Sequence, residues 1–175
     1  MNRFVIHGLE STDRRDIVLE LQKRIGVKVI QACILTDGVR GCNLSHVRVA
    51  EAAKALAPSE HYFVFEDDCV LAPDFETTLE NIPDVDIYYF GYNDKDFSSD
   101  LIYGTHALRL SPKARDILLT HAQELIDENI PFDHIIFSLS ETYNLTRAWP
   151  DVSNKERWCY QKKGLKSIIT HSYRE

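Results

Sequence analysis

Long apolar runs are missing from this chain of 175 residues. Its most apolar stretches, 27–35 and 62–65, are short and interrupted, whereas a helix crossing a bilayer needs roughly 20 apolar residues. No transmembrane segment is therefore expected. No secretory leader is expected either: the opening run Phe4-Val5-Ile6 breaks at His7 with no small-residue cleavage site after it. That start reads as a first strand and makes the cytoplasm the expected location. Cysteine is sparse. Cys33, Cys42, Cys69 and Cys159 stand at spacings of 9, 27 and 90, which match neither a zinc pattern nor a disulfide scaffold, and they read as buried free thiols. Positive charge is in deficit, with 20 Lys plus Arg against 27 Asp plus Glu and a net charge of −7. That balance excludes a broad, sequence-independent grip on nucleic acid, so an acidic chain of this kind handles phosphates locally, through a metal or a few basic side chains. Internal repeats, low-complexity tracts and linkers are lacking as well. With 44% hydrophobic and 27% charged residues the composition is that of an ordinary globular protein, and a single domain over 1–175 is expected.

What is present is an alternation of strand-like and helix-like runs, the pattern of an α/β domain with a mostly parallel sheet. Residues 4–8 form the first strand candidate. Ser11, Thr12 and Asp13 offer caps for a helix whose Ile17 or Val18, Leu21 and Ile25 share one face, closed by Gly26. The β-branched run 27–35 predicts a strand ending at the turn signal Asp37-Gly38. From Asn43, the spacing of Val49, Ala52, Ala53 and Leu56 predicts a helix that Pro58 ends. Strands are predicted at 61–65, 86–90 and 104–110, with a polar loop at 93–100. Ser111-Pro112 opens another helix by cap and N1 proline, with Ile117 or Leu118, Ala122, Leu125 and Ile126 on its buried face. A helix starting within 131–139, a short strand at 145–149 and a polar, aromatic-studded tail at 154–166 complete the reading.

The strongest local feature is Tyr62-Phe63-Val64-Phe65-Glu66-Asp67-Asp68, an apolar strand that stops at three acids. Carboxylates crowded at a strand end repel one another unless they are solvated or share a cation, and hard divalent ions prefer oxygen ligands. In an open α/β sheet the carboxyl ends of strands border the ligand crevice. A solvated acidic turn, or a helix start that Asp67 and Asp68 cap, accounts for the same residues equally well on local grounds.

A second element, Gly41-Cys42-Asn43-Leu44-Ser45-His46, precedes the acids by about twenty residues and stands at the start of the predicted helix. Together, Gly-Cys-x-Leu-Ser-His and the strand ending Glu-Asp-Asp resemble family 25 glycosyltransferases, the lipooligosaccharide and collagen-type galactosyltransferases. Further segments are similar to that family: the early turn 11–15 with Arg14 and Arg15, the strand 86–91, the run 104–114 and Pro131-Phe132-Asp133. The likeness spans residues 4 to about 153.

The resemblance implies a GT-A-like (Rossmann-type) fold, a single α/β domain with a mostly parallel central sheet flanked by helices. It implies transfer of a hexose, galactose or similar, from a nucleoside diphosphate sugar, such as a UDP-sugar, to a glycan hydroxyl with inversion, as in lipopolysaccharide biosynthesis. It also implies Mn2+ or Mg2+ held by Asp68 and Glu66. Asp67 and Asp133 are the implied catalytic carboxylates, with Asp133 as general base or, alternatively, a helix cap. Ser45, His46, Arg14, Arg15 and Glu66 are the expected donor-binding set, although the two arginines equally fit helix ion pairs, Ser45 a backbone cap and His46 a partly buried structural position. His171 is a weaker metal-ligand candidate. The expected partners are a nucleotide-sugar donor and a glycan acceptor, not nucleic acid, with a peripheral membrane contact left open. Two other readings stand beside this one: a catalytically silent carbohydrate-binding or scaffold domain of the same fold, and a metal-dependent phosphohydrolase. The latter is disfavoured because no Asp-x-Asp-x-Thr nucleophile pattern follows any strand.

Overall fold

Alternation along the short apolar runs decides the architecture. The structure, a computed structural model, describes residues 2–91, 105–150 and 159–161. Strand β1 (Asn2–His7) sends Phe4 and Ile6 to one face and Val5 to the other, and β3 (Tyr62–Glu66) does the same with Tyr62 and Val64 against Phe63 and Phe65. Both faces of β1 and β3 are thus apolar, which requires cover on both sides.

Among the described residues the main sheet has six strands. Beside β1 and β3 lie β2 (Lys28–Gln31), β5 (Ile87–Tyr89), β6 (Ala107–Leu110) and β7 (Arg147–Ala148), in the order β2-β1-β3-β6-β5-β7. β2 and β3 run parallel to β1, and β7 runs parallel to β5. β6 alone is reversed, pairing antiparallel with both β3 and β5. A second, two-stranded sheet pairs β4 (Cys69–Leu71) antiparallel with β8 (Cys159–Gln161).

Helices α2 (Gly38–Leu56), α4 (Pro112–Asp127) and α5 (Phe132–Thr142) cover the face that carries Phe4, Val64 and Leu108. Helix α1 (Arg15–Ile25) and the short α3 (Phe75–Thr78) cover the other, where Leu21 and Ile25 are buried as the spacing predicts, together with both of the alternatives Ile17 and Val18. That side carries an aromatic cluster, with Phe90 5.1 Å from Phe75, 5.0 Å from Tyr88 and 5.8 Å from Phe63 between ring centroids.

Several boundaries differ from the sequence reading. β2 stops at Gln31 rather than at 35 because its partner β1 ends at His7, and the register closes on the pair His7 and Gln31. The first helix is entered through a 3-10 turn, Thr12–Arg14, with no side-chain cap, and Gly26, at φ 64, closes it in the left-handed region that glycine adopts without strain. α2 begins five residues before the predicted Asn43, at Gly38, because Asp37 is its N-cap and accepts from the backbone of Val39 and Arg40. Gly41–His46 therefore lies inside the helix. At the far end Leu56, predicted on the buried face, is 56% exposed. Ser111 caps α4 as predicted, accepting from Ala114 N–H. The loop 93–100, Gly104, His171 and most of the tail lie outside the described residues.

Candidate functional site

Parallel pairing with β1 and β3 in register brings Ile6 opposite Glu66, so the residues that follow, Gly8 and Asp67, meet at one edge of the sheet. A cleft of about 260 Å³ opens there. Its walls are the ends of β1 and β3, the loop 32–35, the first half of α2, Thr105 and His106 ahead of the reversed β6, and Pro131–Asp133 at the start of α5. This is the carboxyl end of the parallel strands, where open α/β sheets place ligands.

The three acids have separate surroundings. Asp67 uses both carboxylate oxygens: Oδ2 is 2.9 Å from His7 Nδ1 and accepts from Gly8 N–H at 3.2 Å, while Oδ1 accepts from Arg14 at 2.5 Å. Both side chains of the Arg14–Asp67 pair are under a tenth exposed, and Arg14 also stands 3.8 Å from Asp68 Oδ2. Burial works against the Arg14 charge, but Asp67, Asp68 and Asp13 outweigh it and hold the guanidinium more firmly protonated. Asp68 is buried and lines the cleft.

Glu66 lines the same cleft with different neighbours. Its Oε1 accepts from the Thr105 hydroxyl at 3.2 Å and lies 3.5 Å from His46 Nε2. Burial alone would raise this carboxyl; the His46 imidazole, His106 and the Thr105 hydroxyl overcome that and hold it below the usual carboxylate range. The His46 ring is 2% exposed and stacks on Phe132 with centroids 3.8 Å apart, which fixes its orientation. Cys42, one helical turn before His46, contributes to the same corner, and the ligand atoms of Cys42, His46 and Glu66 all lie within 4.8 Å of one another. Burial pushes the Cys42 thiol well up, and the carboxylates of Glu66, Asp133 and Asp68 add to the effect.

The remaining expected residues divide. Asp133 lines the cleft in the first turn of α5 and does not cap that helix; its Oδ1 accepts from the adjacent His134 N–H at 3.0 Å. Ser45 lines the cleft, but its hydroxyl donates to Gly41 C=O at 2.7 Å and accepts from Cys33 N–H at 2.8 Å, which pins the loop 32–35 to α2. Gly41 permits that approach, since a Cβ there would collide with the Cys33 carbonyl. Arg15 is exposed at the start of α1 and is not among the residues lining the cleft.

Sequence reasoning missed several residues of the site. Asn43 donates to Ile130 C=O at 2.7 Å, and its carbonyl oxygen, buried at the cleft, has no hydrogen bond among the described residues. His106 stands behind Glu66: burial works against its charge, but Cys159, Glu66 and Asp68 raise its pKa. Burial would also raise Cys159, but bonds to Cys69 and His106 prevail and push it down to about 7. Asn43 lay in plain view within the Gly-Cys-Asn-Leu-Ser-His motif. Thr105 and His106 gave no sequence signal, because only the reversal of β6 carries them to this edge.

No protein-family profile matches the chain, and no curated protein matches it. Solved structures do. A glycosyltransferase involved in the glycosylation of the major capsid of PBCV-1 superposes with a TM-score of 0.63 at 12% identity, covering 94% of this chain and 93% of that one. The fold is similar to that glycosyltransferase's. The inositol-1-phosphate CTP transferase from T. maritima gives a TM-score of 0.49 at 13% identity, over 85% of this chain and 66% of that one. HddC from Yersinia pseudotuberculosis gives 0.41 at 14% identity, over 85% and 69%. The last two likenesses are too loose to bear on function, and at 12% identity the first speaks for the fold alone. Among the described residues no helix is long and apolar enough to cross a membrane.

Proposed function

We propose that this protein is a metal-dependent glycosyltransferase, similar to family 25, that moves a hexose from a nucleoside diphosphate sugar to a glycan hydroxyl. The observation that carries the reading is the acidic end of β3, Glu66 to Asp68, facing a cleft at the carboxyl edge of a glycosyltransferase-like sheet. The donor set fits a hard divalent cation: Asp68 and Glu66 offer carboxylate oxygens at the cleft, and Asp67 is already neutralised by Arg14. Asp68 and Glu66 would hold Mn2+ or Mg2+, which, when bound, stabilises the charge growing on the leaving diphosphate.

The chain's own groups supply the rest. Asp67 acts by position: engaged with Arg14, His7 and Gly8, it locks the end of β1 to the end of β3, so that Asp68 faces the cleft. His46, held flat by Phe132, and Thr105 set the Glu66 carboxylate. Ser45 contributes to donor binding through the loop it anchors, and Asn43 offers a buried acceptor to a sugar or ribose hydroxyl. Asp133, across the cleft on α5, takes the proton of the acceptor hydroxyl as general base, with inversion following from the family resemblance. Galactose as the sugar, a UDP donor and a place in lipopolysaccharide or related glycan biosynthesis belong to the same resemblance.

The test is donor hydrolysis and sugar transfer with Mn2+ present. Asp133→Asn should lower kcat by about 10²–10⁴-fold, the range for loss of a general base. Asp68→Ala should remove the metal-dependent rate, and turnover equal to the parent's would refute its assignment. Calorimetry separates the scaffold alternative, because a silent domain has no metal-dependent affinity for a nucleoside diphosphate.

A further inference from the structure

One corner of the cleft has a chemistry that a hard oxygen-bound cation does not explain. Cys42 and His46 are four residues apart on α2, the spacing that sets two side chains on one face of a helix. Glu66 reaches them from the end of β3, a separate element. Their sulfur, nitrogen and oxygen ligand atoms lie within 4.8 Å of one another, with His46 Nε2 and Glu66 Oε1 3.5 Å apart. Around a tetrahedral zinc with bonds near 2.0–2.3 Å, neighbouring ligand atoms stand about 3.3–3.6 Å apart. The imidazole–carboxylate edge already has that length, and the thiol, within 4.8 Å of both partners, has at most about 1.5 Å to close, a distance that rotation about χ1 can cover.

The setting of the histidine is a second sign. Its ring is 2% exposed, its orientation is fixed by the stack on Phe132, and its buried Nε2 makes no hydrogen bond among the described residues, facing Glu66 Oε1 at 3.5 Å, beyond good hydrogen-bond length. A buried nitrogen left without one is costly and calls for an explanation. Thr105, donating to Glu66 Oε1, is the kind of outer-shell partner that orients a ligating carboxylate.

We infer that Cys42, His46 and Glu66 form a binding site for a thiophilic divalent cation of the zinc class, with a fourth position open to the cleft. Mixed thiolate and imidazole donors select zinc or a similar transition metal over magnesium, calcium or manganese, and three protein ligands plus one open place is the arrangement of a reactive rather than a purely structural zinc. Binding releases the thiol proton to solvent and needs no other reactant. The site shares Glu66 with the proposed donor cation but does not depend on the transferase reading.

Cobalt reports on it directly. Co2+ titrated into the full chain, without nucleotide, should give a near-ultraviolet thiolate-to-cobalt charge-transfer band that saturates at one equivalent and is displaced by Zn2+. Cys42→Ser should abolish the band, while Cys33→Ser and Cys69→Ser keep it. His46→Gln and Glu66→Gln should weaken Zn2+ binding by more than ~100-fold, beyond the 10–100-fold that loss of an outer-shell partner costs. A parent protein with no thiolate band, or a band that survives Cys42→Ser, overturns the inference, as does unchanged Zn2+ affinity in His46→Gln. Should the cysteine variants fail to fold, zinc-edge absorption fine structure on the parent decides: one sulfur near 2.3 Å supports the site, and a shell of oxygen and nitrogen alone overturns it. Cobalt binding through Cys42 in a chain that turns over no sugar nucleotide would sink the transferase proposal and leave this one standing. Manganese-dependent transfer with a silent cobalt titration would do the reverse.

Discussion

Replacing Arg14 with methionine should destabilise the protein through the carboxylate it leaves behind. Arg14 and Asp67 are both under a tenth exposed and 2.5 Å apart, and Asp68 stands 3.8 Å from the same guanidinium. Removing one partner of a buried ion pair costs about 3–5 kcal/mol, because the other charge stays buried. His7 and Gly8 N–H still touch Asp67 Oδ2, so the lower end, ~3 kcal/mol, applies. At ~2.1 cal/mol/K per residue over 175 residues the unfolding entropy is ~0.37 kcal/mol/K, and the melting temperature should fall by ~8 °C. The double variant Arg14→Met/Asp67→Asn removes the stranded charge and should recover ~1.5 kcal/mol or more relative to additivity, within the range seen for contacting residues. Differential scanning calorimetry on the four proteins measures all of this. If the single variant melts within ~2 °C of the parent, or the two substitutions simply add, Asp67 is not held by a desolvated pair and its positioning role fails.

Other consequences of the same geometry are open to measurement. Because Asp67 has both oxygens engaged and Asp68 faces the cleft, Asp67→Asn should lower metal-dependent turnover less than Asp68→Asn does; steady-state kinetics decides, and the opposite order would contradict the assignment. Ser45→Ala leaves the Cys33 N–H without its acceptor and should cost ~1–3 kcal/mol, read by denaturant unfolding. Gly41→Ala drives a methyl group at the Cys33 carbonyl, and the strain should cost ~1–3 kcal/mol and weaken nucleoside diphosphate binding in calorimetry. Asp86 gives a pH signature. Burial would raise its carboxyl, but the Thr146 backbone N–H, the Ser111 and Thr146 hydroxyls and Lys113 overcome that and lower it. With the folded value depressed, its stabilisation is present above the unfolded pKa of about 3.9 and is lost as pH falls through the lower folded value. Acid unfolding below about pH 4 should therefore flatten in Asp86→Asn, and an unchanged profile would count against those bonds.

Local patterning determined a large part of this molecule. Two-residue alternation in Phe4-Val5-Ile6 and in 62–65 specifies strands with two apolar faces, and the spacing of Ile17, Leu21 and Ile25 specifies a helix with one; these signals are short-range and survive any tertiary arrangement. An apolar strand that runs into three acids also marked the end of the sheet where the cleft lies. Other features depend on contacts between residues far apart in the chain, and no local period encodes them. The helix that carries Cys42 and His46 starts five residues early because Asp37 finds two backbone donors, and β2 ends where β1 stops offering partners. The register that sets Ile6 opposite Glu66 brings His7 to Asp67, sixty residues on, so only the packed sheet decides which of the three acids lining the cleft is paired with Arg14. The same packing turns cysteine spacings that match no metal pattern into a sulfur, nitrogen and oxygen cluster, since ligand geometry is set by distances in space and not by positions along the chain.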